Sequence, residues 1–303
     1  MPRSKALNFT DWIKYLSQIV ARKQLPWDVV GHSVCGSSHA ASGLENQDAF
    51  KVFQKADSGY PAIMAISDGH GDRRSFRSKA GAEIAVSVAI HSIQYFLLYC
   101  HQLTDVRSIT EQIYQGLPEE IHSRWLKEVE AHWDQNPPTD AETTEATFSP
   151  TIYGTTLLAF AIDQFKVHGK NITMLVFLQI GDGDILLVSP SGKTRFCFDN
   201  EQIGDVTTSL SAPNAWRSMN IHFLLDMDKL PEMILLSTDG YRKSFQRSTD
   251  FLKVGSDILG FARLNGIAAT ESALDEWLKG TSEQGSGDDI TVCLAINNTI
   301  KAR

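Results

Sequence analysis

Cysteine is scarce and scattered. Cys35, Cys100, Cys197 and Cys293 are the only four in 303 residues, with no CxxC pair and no Cys/His cluster. That excludes a zinc knot or a redox dithiol and predicts buried, reduced thiols in a cytosolic protein. Positive charge is also short: 28 Lys and Arg against 36 Asp and Glu leave a net charge of −8. Such a surface repels nucleic-acid phosphates and anionic membrane, so neither is expected as a partner. No GxSxG elbow surrounds Ser33 and no GxxxxGK[ST] loop occurs, which removes serine-hydrolase and nucleoside-triphosphatase chemistry. A long uncharged apolar run is missing as well. The nearest, AGAEIAVSVAIHSIQYFLLYC (80–100), carries Glu83, Ser87, His91, Ser92 and Gln94, and reads as a core helix. MPRSKALNFTDWIKYL has neither the apolar centre nor the cleavage site of a secretory signal, so a cytoplasmic location is expected. No internal repeat is visible.

What is present suits a large folded domain, since 42% of the residues are apolar. Phe9, Trp12, Ile13, Leu16, Ile19 and Val20 recur at helical spacing, and the pattern ends by Pro26. Residues 1–26 are therefore expected to form a helical extension and 27–303 the main domain. Short runs such as AFKVF and PAIMAI predict strands, 74–99 and 105–133 predict helices with a break near Pro118, and 136–150 predicts a polar loop. Strands resume at TTLLAFAI, ITMLVFLQI, DILLVSP, IHFLLDM and EMILLST, helical text fills about 241–279, and a Gly/Ser loop GTSEQGSG precedes a last strand DITVCLAI. Strands in blocks separated by paired helices predict an α+β fold, with two facing antiparallel β-sheets flanked by helices.

Acidic residues punctuate these strands. Asp-Gly follows an apolar run at Asp68, Asp182 and Asp239, while Asp48 and the pair Asp288-Asp289 precede strands. For Asp182 a hairpin turn is a sufficient explanation, because DILLV returns at once; at Asp68 and Asp239 no partner strand follows. A sheet gathers distant strand ends, so these carboxylates can line one edge. Crowded carboxylates repel, and an all-oxygen set suits Mg²⁺ or Mn²⁺. His70, two residues past Asp68, is placed to exchange a proton near neutral pH.

NQDAF (46–50), SDGHGD (67–72), YGTTLLAF (153–160), IGDGD (180–184), LSTDG (236–240) and SGDDITV (286–292) occur in this order over nearly the whole chain from Val29 to Ile296. Together they resemble the metal-dependent serine/threonine phosphatases of the protein phosphatase 2C type, with GLENQDAF and FRSKAGAEIAV closer to a bacterial branch. The resemblance implies an α-β-β-α sandwich with a Mn²⁺/Mg²⁺ centre of two ions, and a weaker third in some members. By it, Asp68 bridges both ions, Asp48 and the Gly69 carbonyl bind one, Asp239 and Asp288 bind the other, and Asp182 supports the third. It further implies direct attack of a metal-bridging hydroxide on phosphoserine or phosphothreonine, with His70 protonating the leaving alcohol. The implied partners are a phosphorylated protein substrate and a cognate serine/threonine kinase.

Several positions depart from the family pattern. The phosphate-gripping arginine five residues before the first metal aspartate is here Gly43, the usual Glu before Asp48 is Gln47, and Asp289 replaces a common Asn. Arg73, Arg74 and Arg77 are the candidates to grip phosphate in its place, through the bidentate contact a guanidinium makes. Thr155 and Thr156 read as strand packing without chemistry, and 200–222 reads as a flap over the site. The alternative to an enzyme is a catalytically weak or inactive binding protein on the same fold.

Overall fold

In the computed structural model, residues 26–103, 106–139, 142, 147–167, 170–198, 208–225 and 230–298 are described. The expected helix at 9–20 lies outside the described residues. One five-stranded antiparallel sheet has the order β1 (Trp27–Val34), β10 (Ile290–Asn297), β9 (Met233–Ser237), β6 (Asp184–Val188) and β7 (Thr194–Phe196). The other has the order β2 (Ala49–Gln54), β3 (Ala62–Ser67), β4 (Leu157–Val167), β5 (Lys170–Ile180) and β8 (Asn220–Leu225).

The sheets face each other across Trp27, Met64, Ile66, Phe160, Phe177, Leu236 and Cys293. Helices α2 (Ser78–Cys100) and α4 (Leu117–Gln135) cover the second sheet, and α6 (Ser248–Asn265) and α7 (Ile267–Gln284) cover the first. Central strands are thus buried on both faces, which is why MAI and MLVFLQI read as unbroken apolar runs without alternation. The α-β-β-α sandwich is the architecture anticipated from the strand blocks. In α2, Ala82, Ala85, Ala89, Ile93 and Leu97 recur at helical spacing and are all buried, so this apolar helix is a wall of the core.

Local readings needed adjustment. The break expected near Pro118 lies just ahead of it: α3 (Val106–Glu111) runs into a π turn at Gln112–Gly116, and Pro118 sits in the first turn of α4, where its missing N–H is tolerated. The 241–279 region is three helices, beginning with the short α5 (Asp239–Lys243). Helix α7 consumes the first five residues of the expected Gly/Ser loop, because Leu274, Leu278 and Ser282 continue its buried face. The GDG turn at 181–183 is no hairpin: β5 and β6 belong to different sheets, and the turn carries the chain between them. Of the cysteines, Cys100 and Cys293 are buried while Cys35 and Cys197 are half-buried, and all are reduced.

Candidate active site

Strand register brings the acidic residues to one end of the sandwich. Ala49 pairs with Ser67, so Asp48 and Asp68 flank the same pair of strand ends. In the other sheet Val292 pairs with Ser237, which sets Asp288 near Asp239. Asp182 arrives from the crossover turn, between Ile180 paired to Leu157 and Asp184 paired to Ser237. A cavity of about 610 Å³ opens there, lined among others by Asp68, Gly69, His70, Asp182, Asp239 and Asp288. Asp48 is only 7% exposed and does not line it.

Electrostatic strain is concentrated here. Burial pushes the Asp68 carboxyl well above the usual carboxylate range, and the charges of Asp48, Asp239, Asp288 and Asp182 push it further. Asp48 is pushed up to about 8, chiefly by burial; hydrogen bonds from Thr291 and Thr238 pull it down, and Asp289 and Asp239 push it up again. Both threonine hydroxyls donate to the same Asp48 oxygen, Oδ2, at 2.7 and 2.8 Å. Its Oδ1 is buried without a hydrogen-bond partner, as is Asp239 Oδ1. A buried carboxylate oxygen left without a partner is costly, and a cation is the partner that would also relieve the mutual repulsion. The donor chemistry therefore fits a hard divalent ion. Among the described residues no three His, Cys, Asp or Glu side chains close to full ligand geometry. The Lys243 ammonium meanwhile pairs with Asp239 Oδ2.

His70 lines the cavity, and its backbone N–H donates to Gly154 O at 3.0 Å. Burial lowers its pKa against the upward pull of Asp182 and Asp72, which favours the neutral ring. The three arginines part company. Arg77 does not line the cavity: its buried guanidinium grips Glu142 through Nε (2.8 Å) and Nη2 (2.9 Å), donates to Asn136 O and Tyr153 OH, and lies over the Trp133 ring. Arg74 does line the cavity, but it is held at the rim by Asp72, which it keeps down at about 2. Arg73 is exposed and does not line the cavity. Gly43 caps α1 (Ser37–Ser42) in the left-handed conformation, φ 71°, where an arginine would be strained, and a Cβ there would meet nothing within 4 Å.

Some site residues escaped the sequence reading. Thr155 Oγ1 donates to Asp68 O at 2.7 Å, and Thr156 Oγ1 accepts from Asp68 N at 3.0 Å, so the packing threonines hold both backbone groups of Asp68. Asp289 Oδ1 and Oδ2 each accept at 2.7 Å, from the backbone N–H of Gly36 and of Gln47 respectively, fastening two loops to β10; His39 Nδ1 lies 3.0 Å from Oδ1. In the expected flap, residues 200–207 lie outside the described residues and 220–222 already belong to β8. Between them Leu210 is buried with its N–H on Thr155 O, while Ser209 and Ser211 line the cavity. Lys243 is the other omission; only its position four residues past an Asp-Gly turn hinted at it.

Residues 35–279 match the family model described as protein phosphatase 2C. The fold is similar to that of a bacterial serine phosphatase, at 13% identity over 90% of this chain and 99% of that one, TM-score 0.54. It is also similar to the serine/threonine phosphatase Stp1 from Staphylococcus aureus, at 13% identity over 89% of this chain and 94% of that one, TM-score 0.52. At these identities the likeness is one of fold. No curated protein sequence matches this chain significantly.

Proposed function

This chain belongs to the protein phosphatase 2C family, and on that premise we propose that it hydrolyses phosphoserine and phosphothreonine esters of proteins with the aid of Mn²⁺ or Mg²⁺. The observation that carries this reading is the gathering of Asp68, Asp182, Asp239 and Asp288 around one cavity, with Asp48 buried behind it and close enough for its charge to act on Asp68, and with buried oxygens of Asp48 and Asp239 lacking a partner. Asp48, Asp68 and the Gly69 carbonyl would hold one ion, Asp68, Asp239 and Asp288 a second, and Asp182 a weaker third. When bound, such ions supply neutralisation of the phosphoryl charge and an acidified water.

The chain's own groups do the remaining work. Thr155 and Thr156 hold the Asp68 backbone from both sides, which limits how that carboxylate turns. Asp289 ties the loops at Gly36 and Gln47 to β10 and so steadies the approach to Asp48. Burial favours the neutral His70 ring before substrate arrives; a dianionic phosphate ester in the same cavity favours the imidazolium, and the proton then passes to the departing seryl or threonyl oxygen. The proposed substrate is a phosphoprotein, with a serine/threonine kinase as the activity that supplies it.

Release of phosphate from a phosphothreonine peptide, measured with and without Mn²⁺, tests the reading. Metal-dependent release is expected, and Asp239→Asn should lower it at least about 100-fold by deleting an anionic ligand. A second reading, a binding protein on this fold without turnover, is favoured by one observation: the Lys243 ammonium already sits on Asp239. A folded protein inert under every metal condition would establish that reading instead.

A further inference from the structure

Among the described residues, six carboxylates line the larger cavity, at Asp68, Asp72, Asp182, Asp239, Asp288 and Asp289. The Lys and Arg side chains of the described residues that line it are Arg74 and Lys243. A phosphate ester carries two negative charges, so the placing of these cations decides how it is held. Arg74 is 80% exposed, and its charge is matched bidentately by Asp72 at the rim. Lys243 stands among the acidic residues themselves. An ammonium has three N–H donors, and Asp239 accepts one. The side chain remains 56% exposed. A second cavity of about 320 Å³ shares Asp182, Asp239 and Lys243 with the first, which places the ammonium where both open.

We propose that Lys243 is the side chain that grips the substrate phosphoryl group, donating to a non-bridging oxygen from its place on α5 beside Asp239. This inference rests on the phosphatase reading and adds to it the specific contact that an acidic cavity must provide. Position makes the choice between the two cations. A phosphoryl group that reacts beside Asp68 and Asp239 lies near the ammonium, whereas the Arg74 guanidinium is anchored to Asp72. Lysine suits the task as a compact point charge on a flexible stem, able to follow the phosphoryl group while keeping its bond to Asp239.

The test uses the full chain saturated with Mn²⁺ and inorganic phosphate as the probe, with binding followed by calorimetry. Lys243→Met keeps the length of the stem and removes the charge; Lys243→Arg restores it. The methionine variant is expected to bind phosphate about tenfold or more weakly, the size of a lost charge-assisted hydrogen bond, and to show raised KM for a phosphothreonine peptide. The arginine variant should recover most of both. Mn²⁺ affinity, titrated separately, should stay level or tighten in Lys243→Met, because a competitor for Asp239 has gone. Unchanged phosphate affinity in Lys243→Met, with tighter Mn²⁺ binding, would reduce Lys243 to a counter-ion and overturn the inference while leaving the phosphatase reading intact. A wild-type protein that binds Mn²⁺ and neither binds phosphate nor releases it from peptide would overturn both.

Discussion

At the proposed acid, burial outweighs neighbouring charge. Desolvation lowers the pKa of His70 although Asp182 and Asp72 pull it up, which gives a specific expectation for the proposed acid. His70→Gln should lower kcat on a phosphothreonine peptide by about 100-fold, within the usual range for a general acid. On p-nitrophenyl phosphate, whose phenolate departs without a proton, the loss should be less than about tenfold. Equal losses on the two substrates would remove His70 from proton transfer. The arginines mark how far a residue can be read from sequence. Arg73, Arg74 and Arg77 are indistinguishable in SDGHGDRRSFRS, and only the partners that packing supplies tell them apart. Glu142 lies 65 positions from Arg77, so no local pattern could have announced their pairing. Losing one partner of this ion pair should cost about 3 kcal/mol, and Arg77→Met is expected to lower the melting temperature without touching the cavity directly.

Among elements, α2 does the most to position the site. Helix propensity alone says that Gly81→Ala should stabilise a helix by about 1 kcal/mol. The structure reverses the sign: a Cβ at Gly81 would sit 2.0 Å from Tyr153 O, where α2 crosses the turn that leads to Gly154 and hence to the His70 backbone. Because the obstacle is backbone, the helix or the turn must shift, and Gly81→Ala is expected to destabilise by about 2 kcal/mol in a denaturant titration and to impair activity. An unchanged or raised stability would show that this crossing is slack. The existence of α2 was plain from its apolar periodicity, as were most strands. Pairing was not, and the turn at Asp182 shows why. A tight GDG link between two apolar runs looks the same whether the strands pair or separate into different sheets, since the choice depends on which remote strands compete for each edge.

Across the whole molecule, the acidic cluster couples stability to pH and to ions. Burial pushes Asp48 up to about 8 from an ordinary 3.8, so that without divalent ions the folded state favours a proton there that the unfolded chain releases. A group shifted upward in this way stabilises fully below the unfolded value and loses its contribution as pH rises through the folded one. Without divalent ions, stability should therefore fall between pH 7 and 8, by up to about 1.4 kcal/mol per pH unit for one proton. Histidines whose pKa is lowered by burial, such as His122 and His222, act in the opposite direction and below that window. Asp48→Asn should flatten the slope. Saturating Mn²⁺ should raise the melting temperature and also flatten it, since a bound cation replaces the proton. A pH-independent melting temperature in chelator would contradict the crowding of charge.

The sequence by itself determined the two-sheet architecture, the family, and which carboxylates and histidine stand at strand ends. Those features are written in local periodicity and in motifs whose order survives translation along the chain. Tertiary structure alone decided that Arg77 serves the fold, that Thr155 and Thr156 hold Asp68, and that Lys243 stands among the cavity carboxylates. Each of these depends on distances between residues far apart in sequence, and such distances exist only once the sheets have packed.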